Sequence, residues 1–218
     1  MPHSTHHPLT QVMDHVVRMQ PRTVLDVGVG YGKWGLLVRE SLDWLQDRHD
    51  PATWQTHITG LEAFEDYTSP LYGWVYDEII YDDIVHYARD CPPYDLVVMG
   101  DVIEHLPKQE GLAVLETLLA KCRNVVVATP VDFFTQDILD NPWEQHHSLW
   151  SLADFRPWTF DYDVVGKVCV VAALAGVGAT YPTPRQTQAS EAAYRLPGMS
   201  HQGTAAKVVK QLITRLGR

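Results

Sequence analysis

The 218-residue chain carries 17 Lys and Arg against 27 Asp and Glu, a formal charge of -10, and is 45% hydrophobic and 20% charged. These values fit one α/β domain of ordinary size, exclude whole-chain disorder, and disfavour a long nucleic-acid footprint. The three cysteines, Cys91, Cys122 and Cys169, are far apart and form no CxxC pair, which argues against a disulfide framework or zinc ribbon and suits reduced, buried thiols.

The opening MPHSTHHPLT has no apolar signal-peptide core, and no stretch approaches the roughly 20 apolar residues of a membrane span, so a cytoplasmic protein is expected. His3, His6 and His7 suit an unstructured terminus better than a metal tract. A helix is predicted over Leu9–Met19. TVLDV (Thr23–Val27) is a continuous apolar and β-branched run of the kind buried in a parallel sheet, and glycines follow it at once. From 31 to 47, Trp34, Leu37, Val38, Leu42 and Leu45 recur at helical spacing, so strand, glycine turn and helix open a βαβ unit. Further strands are predicted at His57–Glu62, 74–81 (WVYDEIIY), 94–100 and 124–129, with a helix at 108–121. Two apolar runs within 161–176 divide at Gly166-Lys167 and predict a hairpin on one sheet edge. The connection between Val131 and Pro157, rich in Trp, His, Asn and Pro, is long enough to be a lid or binding loop. Residues 180–204 have linker composition, and 207–218 form a small basic amphipathic helix whose apolar face suits packing on the domain or on a second subunit, leaving a homo-oligomer open.

In VLDVGVGYGKWG, Gly28, Gly30 and Gly32 alternate behind Asp26, a spacing that departs from GxGxxG. An acidic residue beside the glycines repels a pyrophosphate and suits a ligand bearing an ammonium group, which points away from a dinucleotide. One strand later Glu62 is placed to accept hydrogen bonds from two ribose hydroxyls, and Asp82-Asp83-Ile84 follows where an adenine amino group is read. Three ordered acidic stations carry more weight than a glycine turn alone.

On these motifs the chain resembles the class I S-adenosylmethionine-dependent methyltransferases over residues 24–176, with YDLVVMGDVIEHL matching their fourth motif. The resemblance implies an α/β fold: a Rossmann-like, doubly wound, mostly parallel seven-stranded sheet with an antiparallel edge hairpin. It implies domain limits of 1–22 for an N-terminal helical segment, 23–178 for the methyltransferase domain and 179–218 for the linker and last helix. The implied cofactor is S-adenosyl-L-methionine, held by Asp26, Gly28, Gly30, Tyr31, Gly32, Glu62, Asp82, Asp83, Ile84, Gly100 and Asp101, with Trp34 in the pocket wall.

The catalytic end is drawn from DVIEH, with Asp101, Glu104 and His105, and from His146 in the later loop. Two carboxylates and two imidazoles suit a divalent ion, Mg²⁺, Mn²⁺, Fe²⁺, Co²⁺ or Zn²⁺. DVIEH resembles the metal-binding ExxEH of ubiquinone-pathway O-methyltransferases and small-RNA 3′-terminal 2′-O-methyltransferases. The order Thr129-Pro130, Asn141, His146, Trp150 is similar to that of the latter, with Asp101 standing where those families carry Glu. Without a metal, His105 or His146 serves as general base. The expected acceptor is the hydroxyl of a small molecule such as a sugar or nucleotide-sugar, with Phe133, Phe134, Trp143, Trp150 and Trp158 available to stack on it. A terminal nucleotide 2′-hydroxyl and a non-catalytic S-adenosylmethionine-binding subunit are the alternatives.

Overall fold

The computed structural model describes residues 5–133 and 141–182. The expected helix at 207–218, the linker beyond residue 182, His3 and Phe134 lie outside the described residues. Among the described residues five helices, α1 (Leu9–Met19), α2 (Lys33–Leu42), α3 (Tyr72–Val75), α4 (Ile84–Asp90) and α5 (Lys108–Leu119), flank seven strands. The strands are β1 (Thr23–Val27), β2 (His57–Glu62), β3 (Glu78–Tyr81), β4 (Leu96–Gly100), β5 (Asn124–Pro130), β6 (Phe160–Val165) and β7 (Cys169–Ala175), in the order β3-β2-β1-β4-β5-β7-β6. β1 to β5 run parallel, whereas β7 is antiparallel to both β5 and β6. The fold class is therefore as expected.

Apolar strands need cover on both faces, and the core divides accordingly. Leu25, Val27, Val97, Met99, Val125 and Val127 pack with α4 and α5 on one face. Val24, Leu96, Val98 and Val126 pack with α1 and α2 on the other, Val12 and Val16 of α1 being fully buried. The chain leaves β1 toward β2 and β3, then returns to β4 on the other side of β1. Neighbouring loops at the carboxyl ends of β1 and β4 thus part in opposite directions and open a crevice, the place where ligands bind in open α/β sheets.

Two expectations are corrected. The strand expected at 74–81 contributes only Glu78–Tyr81, because Tyr72–Val75 coils into a helical turn that buries Val75 completely. Arg39 holds that turn by donating from Nε and Nη2 to Val75 O at 3.1 and 3.0 Å, and Asp77 Oδ2 accepts from Ile58 N at 2.7 Å where β3 joins the sheet. The helix predicted over 31–47 stops at Leu42 and gives way to a 3-10 turn at Trp44–Gln46, which leaves Leu45 71% exposed. The hairpin forms as expected, with Gly166 and Lys167 both at positive φ (58° and 63°), the pairing of a two-residue turn that matches strand twist. The three cysteines are free and buried. Among the described residues no helix is long and apolar enough to cross a membrane.

Candidate active site

The crevice is a cavity of about 690 Å³, within the range of small-molecule sites. Its floor is the loop after β1. Gly28, Gly30 and Gly32 all have positive φ (71°, 53° and 87°), the left-handed conformation that disfavours a Cβ, so the alternation of glycines is a backbone requirement. Gly28, Gly30 and Tyr31 line the cavity, as does Gly100 at the end of β4. Gly100 also marks a close approach, since a Cβ there would stand 1.9 Å from Trp34 Nε1.

At one end lie Glu62, Asp82, Asp83 and Ile84. Glu62 is 5% exposed, and its two oxygens accept from Gly30 N at 2.9 Å and Phe64 N at 3.0 Å. Burial raises its pKa, against the pull of those backbone donors. Each oxygen retains a second lone pair for a hydroxyl. Asp83 caps α4 by accepting from Val85 N at 3.0 Å, and Asp82 is tied to His86 Nδ1 at 2.7 Å, a bond that lowers its pKa.

At the other end Asp101 follows β4 with φ 54°, its N–H donating to Ala128 O at 2.8 Å and its carboxylate accepting from Thr5 N at 3.1 Å. The 3-10 turn Ile103–His105 then places Glu104 1% exposed beneath the connection after β5. The Glu104 carbonyl accepts from His147 N at 2.8 Å and Ser148 N at 3.0 Å, which fixes His146 opposite. Ligand atoms of Glu104, His105 and His146 lie within 4.8 Å of one another. Asp101 lines the cavity but is not one of that trio.

The electrostatics of the trio suit a cation or a proton acceptor. Burial, with the charge of Asp101, holds the Glu104 carboxyl well above the usual range. Its Oε2 accepts from Thr129 Oγ1 at 3.1 Å, while Oε1 is buried with no hydrogen-bond partner among the described residues. Burial lowers the pKa of His105, and that of His146 falls to about 4 through burial and the charges of His105 and His147. His105 Nδ1 lies 3.2 Å from Gln145 O and must donate there, so Nε2 carries the lone pair. A buried orphan carboxylate oxygen beside two neutral imidazoles is a donor set that fits a divalent ion.

Asp26 and Gly32 stand behind the loop and are not on the cavity wall. Asp26, 1% exposed, accepts from Gly35 N at 3.0 Å and Tyr76 Oη at 2.6 Å, and Gly32 caps α2. Of the aromatic residues expected to meet an acceptor, Trp143 lines the cavity and is 44% exposed. Trp150 is buried: its indole donates to Ser148 Oγ at 2.8 Å and stacks on Phe155, which anchors the connection carrying His146. Trp158 packs on the core, and Phe133 is 50% exposed with its ring 6.3 Å from that of His146. Sequence reasoning missed Tyr67, whose hydroxyl donates to Glu144 at 2.9 Å across the cavity mouth, and Tyr72 and Tyr76 behind the loop. Their spacing after Glu62 is the only trace that the sequence offers.

Solved structures share this architecture. The N-terminal domain of EvdMO1, crystallised in the presence of SAH and D-fucose, superposes with a TM-score of 0.52 at 13% identity, over 79% of this chain and 83% of that one. The methyltransferase domain of bacterial CtHen1-C gives 0.53 at 17% identity, over 78% and 96%. An O-methyltransferase family protein from Burkholderia thailandensis gives 0.51 at 15% identity, over 78% and 57%. The fold is that of the class I S-adenosylmethionine-dependent methyltransferases. No protein-family profile matches the chain, and no curated protein sequence does. Within this methyltransferase fold, the cavity occupies the switch point between β1 and β4.

Proposed function

We propose that the protein is an S-adenosylmethionine-dependent O-methyltransferase acting on a hydroxyl of a small polyol, a sugar or nucleotide-sugar, with a divalent metal ion held by Glu104, His105 and His146. One observation carries the reading: a single cavity runs from the Glu62 carboxylate past Gly28 and Gly100 to that trio. When bound, the cofactor supplies a methyl group on a positively charged sulfur, and a metal ion supplies charge that acidifies an acceptor hydroxyl.

The chain's own residues divide the remaining work. Glu62 accepts the ribose hydroxyls, Asp82, Asp83 and Ile84 read the base, and Gly28 and Gly100 let the methionyl end approach the backbone. Without a metal ion, His105 or His146, neutral near pH 7, would serve instead as the base that takes the proton of the acceptor hydroxyl. Trp143 and Tyr31, 44% and 41% exposed at the cavity, offer ring faces to a pyranose. Asp101, Asp132 and Glu144 offer carboxylates to its hydroxyls, and the formal charge of -10 opposes the many phosphate contacts of an RNA acceptor. The presence of D-fucose with the EvdMO1 domain supports the same choice.

The test pairs calorimetry with S-adenosylmethionine and S-adenosylhomocysteine with mass spectrometry of a sugar library for gain of one methyl group, before and after chelation and metal add-back. Absence of heat with either nucleoside removes the cofactor reading. Turnover unchanged by chelation removes the metal.

A further inference from the structure

Behind the cofactor loop two tyrosines form a clamp. Tyr76 is 7% exposed and its hydroxyl donates to Asp26 Oδ2 at 2.6 Å. Its ring lies against the first turn of α2, where a Cβ on Gly35 would meet Tyr76 Cζ at 2.3 Å. Tyr72 packs edge-on to Tyr76, with centroids 5.8 Å apart at 89°, and its hydroxyl donates to Gly30 O. The pair therefore grips the loop at two points, the acid at its start and a carbonyl in its middle. Arg39, fully buried, fixes the α3 turn that carries them by donating twice to Val75 O.

Asp26 has a second oxygen, Oδ1, that is buried with no hydrogen-bond partner among the described residues. We propose that Tyr76, backed by Tyr72, is a positioning residue that holds the Asp26 carboxylate as an anion beneath the loop, so that the site binds a cationic sulfonium nucleoside in preference to its neutral thioether product. The inference rests on the cofactor reading above. Its physical basis is that substrate and product nucleosides differ by one positive charge at sulfur, and that a fixed anion in a water-poor interior acts over several ångströms.

The Asp26 carboxyl is poised for this role. Burial pushes its pKa up to about 7, while the Tyr76 hydroxyl and the Gly35 N–H pull it down and the Glu62 charge pushes it up. The titratable groups facing it are Tyr76 and Tyr72 from the α3 segment and Glu62 from β2, with α2 contributing the Gly35 N–H. Removing the tyrosine hydroxyl deletes a donor that favours the charged form, so Asp26 ionises only at higher pH.

Calorimetry of the full chain with S-adenosylmethionine and S-adenosylhomocysteine, from mildly acidic to mildly alkaline pH, tests this. In the wild type the preference for the sulfonium rises with pH through about 7 as Asp26 ionises. Tyr76→Phe moves that rise to higher pH and cuts the preference at neutral pH by about tenfold. Asp26→Asn abolishes the rise. Tyr72→Phe weakens both nucleosides alike, because Gly30 loses its anchor while Asp26 keeps its charge. Circular dichroism and thermal unfolding establish that each variant is folded, and if Tyr76→Phe is not, Asp26→Asn decides. A wild-type pH profile in Tyr76→Phe, or a pH-dependent preference that survives Asp26→Asn, overturns the inference and leaves the cofactor reading intact. No binding of either nucleoside by the wild type overturns both.

Discussion

Thr129 donates to Glu104 Oε2 at 3.1 Å, and this bond fixes the carboxylate with its other oxygen buried and unpartnered among the described residues, beside two imidazoles. A buried acceptor left in that state is costly unless something fills its place. Glu104→Gln keeps the shape and the Thr129 bond but removes the charge. Titration of the protein with Mn²⁺ or Co²⁺ is expected to show binding in the wild type and none in the variant, with methyl transfer falling on the order of 10²-fold or more. Undiminished ion binding by Glu104→Gln would place the ion elsewhere. Thr129→Val tests the support itself: a freed Oε2 is expected to lower ion affinity about tenfold while leaving nucleoside affinity unchanged.

Glu62→Gln separates cofactor binding from chemistry. The carboxylate accepts from two backbone N–H groups, and an amide nitrogen in place of one oxygen would face a donor with a donor. Affinity for S-adenosylhomocysteine is expected to fall by roughly 10- to 100-fold with kcat at saturation nearly constant, since the group touches the ribose and not the methyl. A large loss of kcat with unchanged affinity contradicts that division.

The strands of the sheet were legible because their signal is local. Thr23–Val27 and His57–Glu62 are found at the predicted limits, since runs buried on both faces are mostly apolar, with Asp26, Thr59 and Glu62 as buried exceptions. The α3 turn was not legible. Trp74, Val75 and Tyr76 run on into Ile79 and Ile80 like one β-segment, and the contacts that coil them come from Arg39 and Asp26, 36 and 50 residues away in the chain. The candidate site divides in the same way. Glu62, Glu104, His105 and His146 stand at one cavity because they follow strands that end on one edge, which topology alone dictates. Asp26, expected among the cofactor-holding residues, lies behind the cavity wall, because alternation along β1 turns it toward α2. For Trp150 both stacking on an acceptor and packing were open, because no sequence pattern distinguishes a stacking tryptophan from one whose indole serves as an internal anchor.

Glycine substitutions discriminate spatial from conformational need. Gly100→Ala would set a methyl group 1.9 Å from Nε1 of the buried Trp34, so the indole must shift. The variant is expected to lose about 1–3 kcal/mol of stability and much of its nucleoside affinity, because both residues line the cavity. Gly73→Ala, where a Cβ meets nothing within 4 Å, is the control and is expected to lie within about 0.5 kcal/mol of wild type. Chemical denaturation of the two variants, together with S-adenosylhomocysteine titration, checks the contrast.

Stability against pH is expected to carry two opposed contributions. Asp43 is fully buried and receives Arg39 Nη1 at 2.7 Å, Arg48 Nε at 2.8 Å and Gln55 N at 2.8 Å. Burial pushes its pKa up, but these donors and the Arg39 charge outweigh that and hold it below the usual carboxylate range. A depressed folded pKa contributes stability above the unfolded value that is lost as pH falls through the folded one, so Asp43 drives acid unfolding. Asp26 has the opposite sign: with its pKa raised to about 7, its contribution is present below the unfolded value and is lost as pH rises through about 7. Thermal unfolding across pH is therefore expected to lose its acid limb in Asp43→Asn and to flatten near neutrality in Asp26→Asn. Arg39→Met, which leaves Asp43 with Arg48 and Gln55 alone and frees Val75 O, is expected to cost about 3–5 kcal/mol at neutral pH. If Asp43→Asn unfolds in acid like the wild type, the buried Arg39 pair is not the group that titrates there.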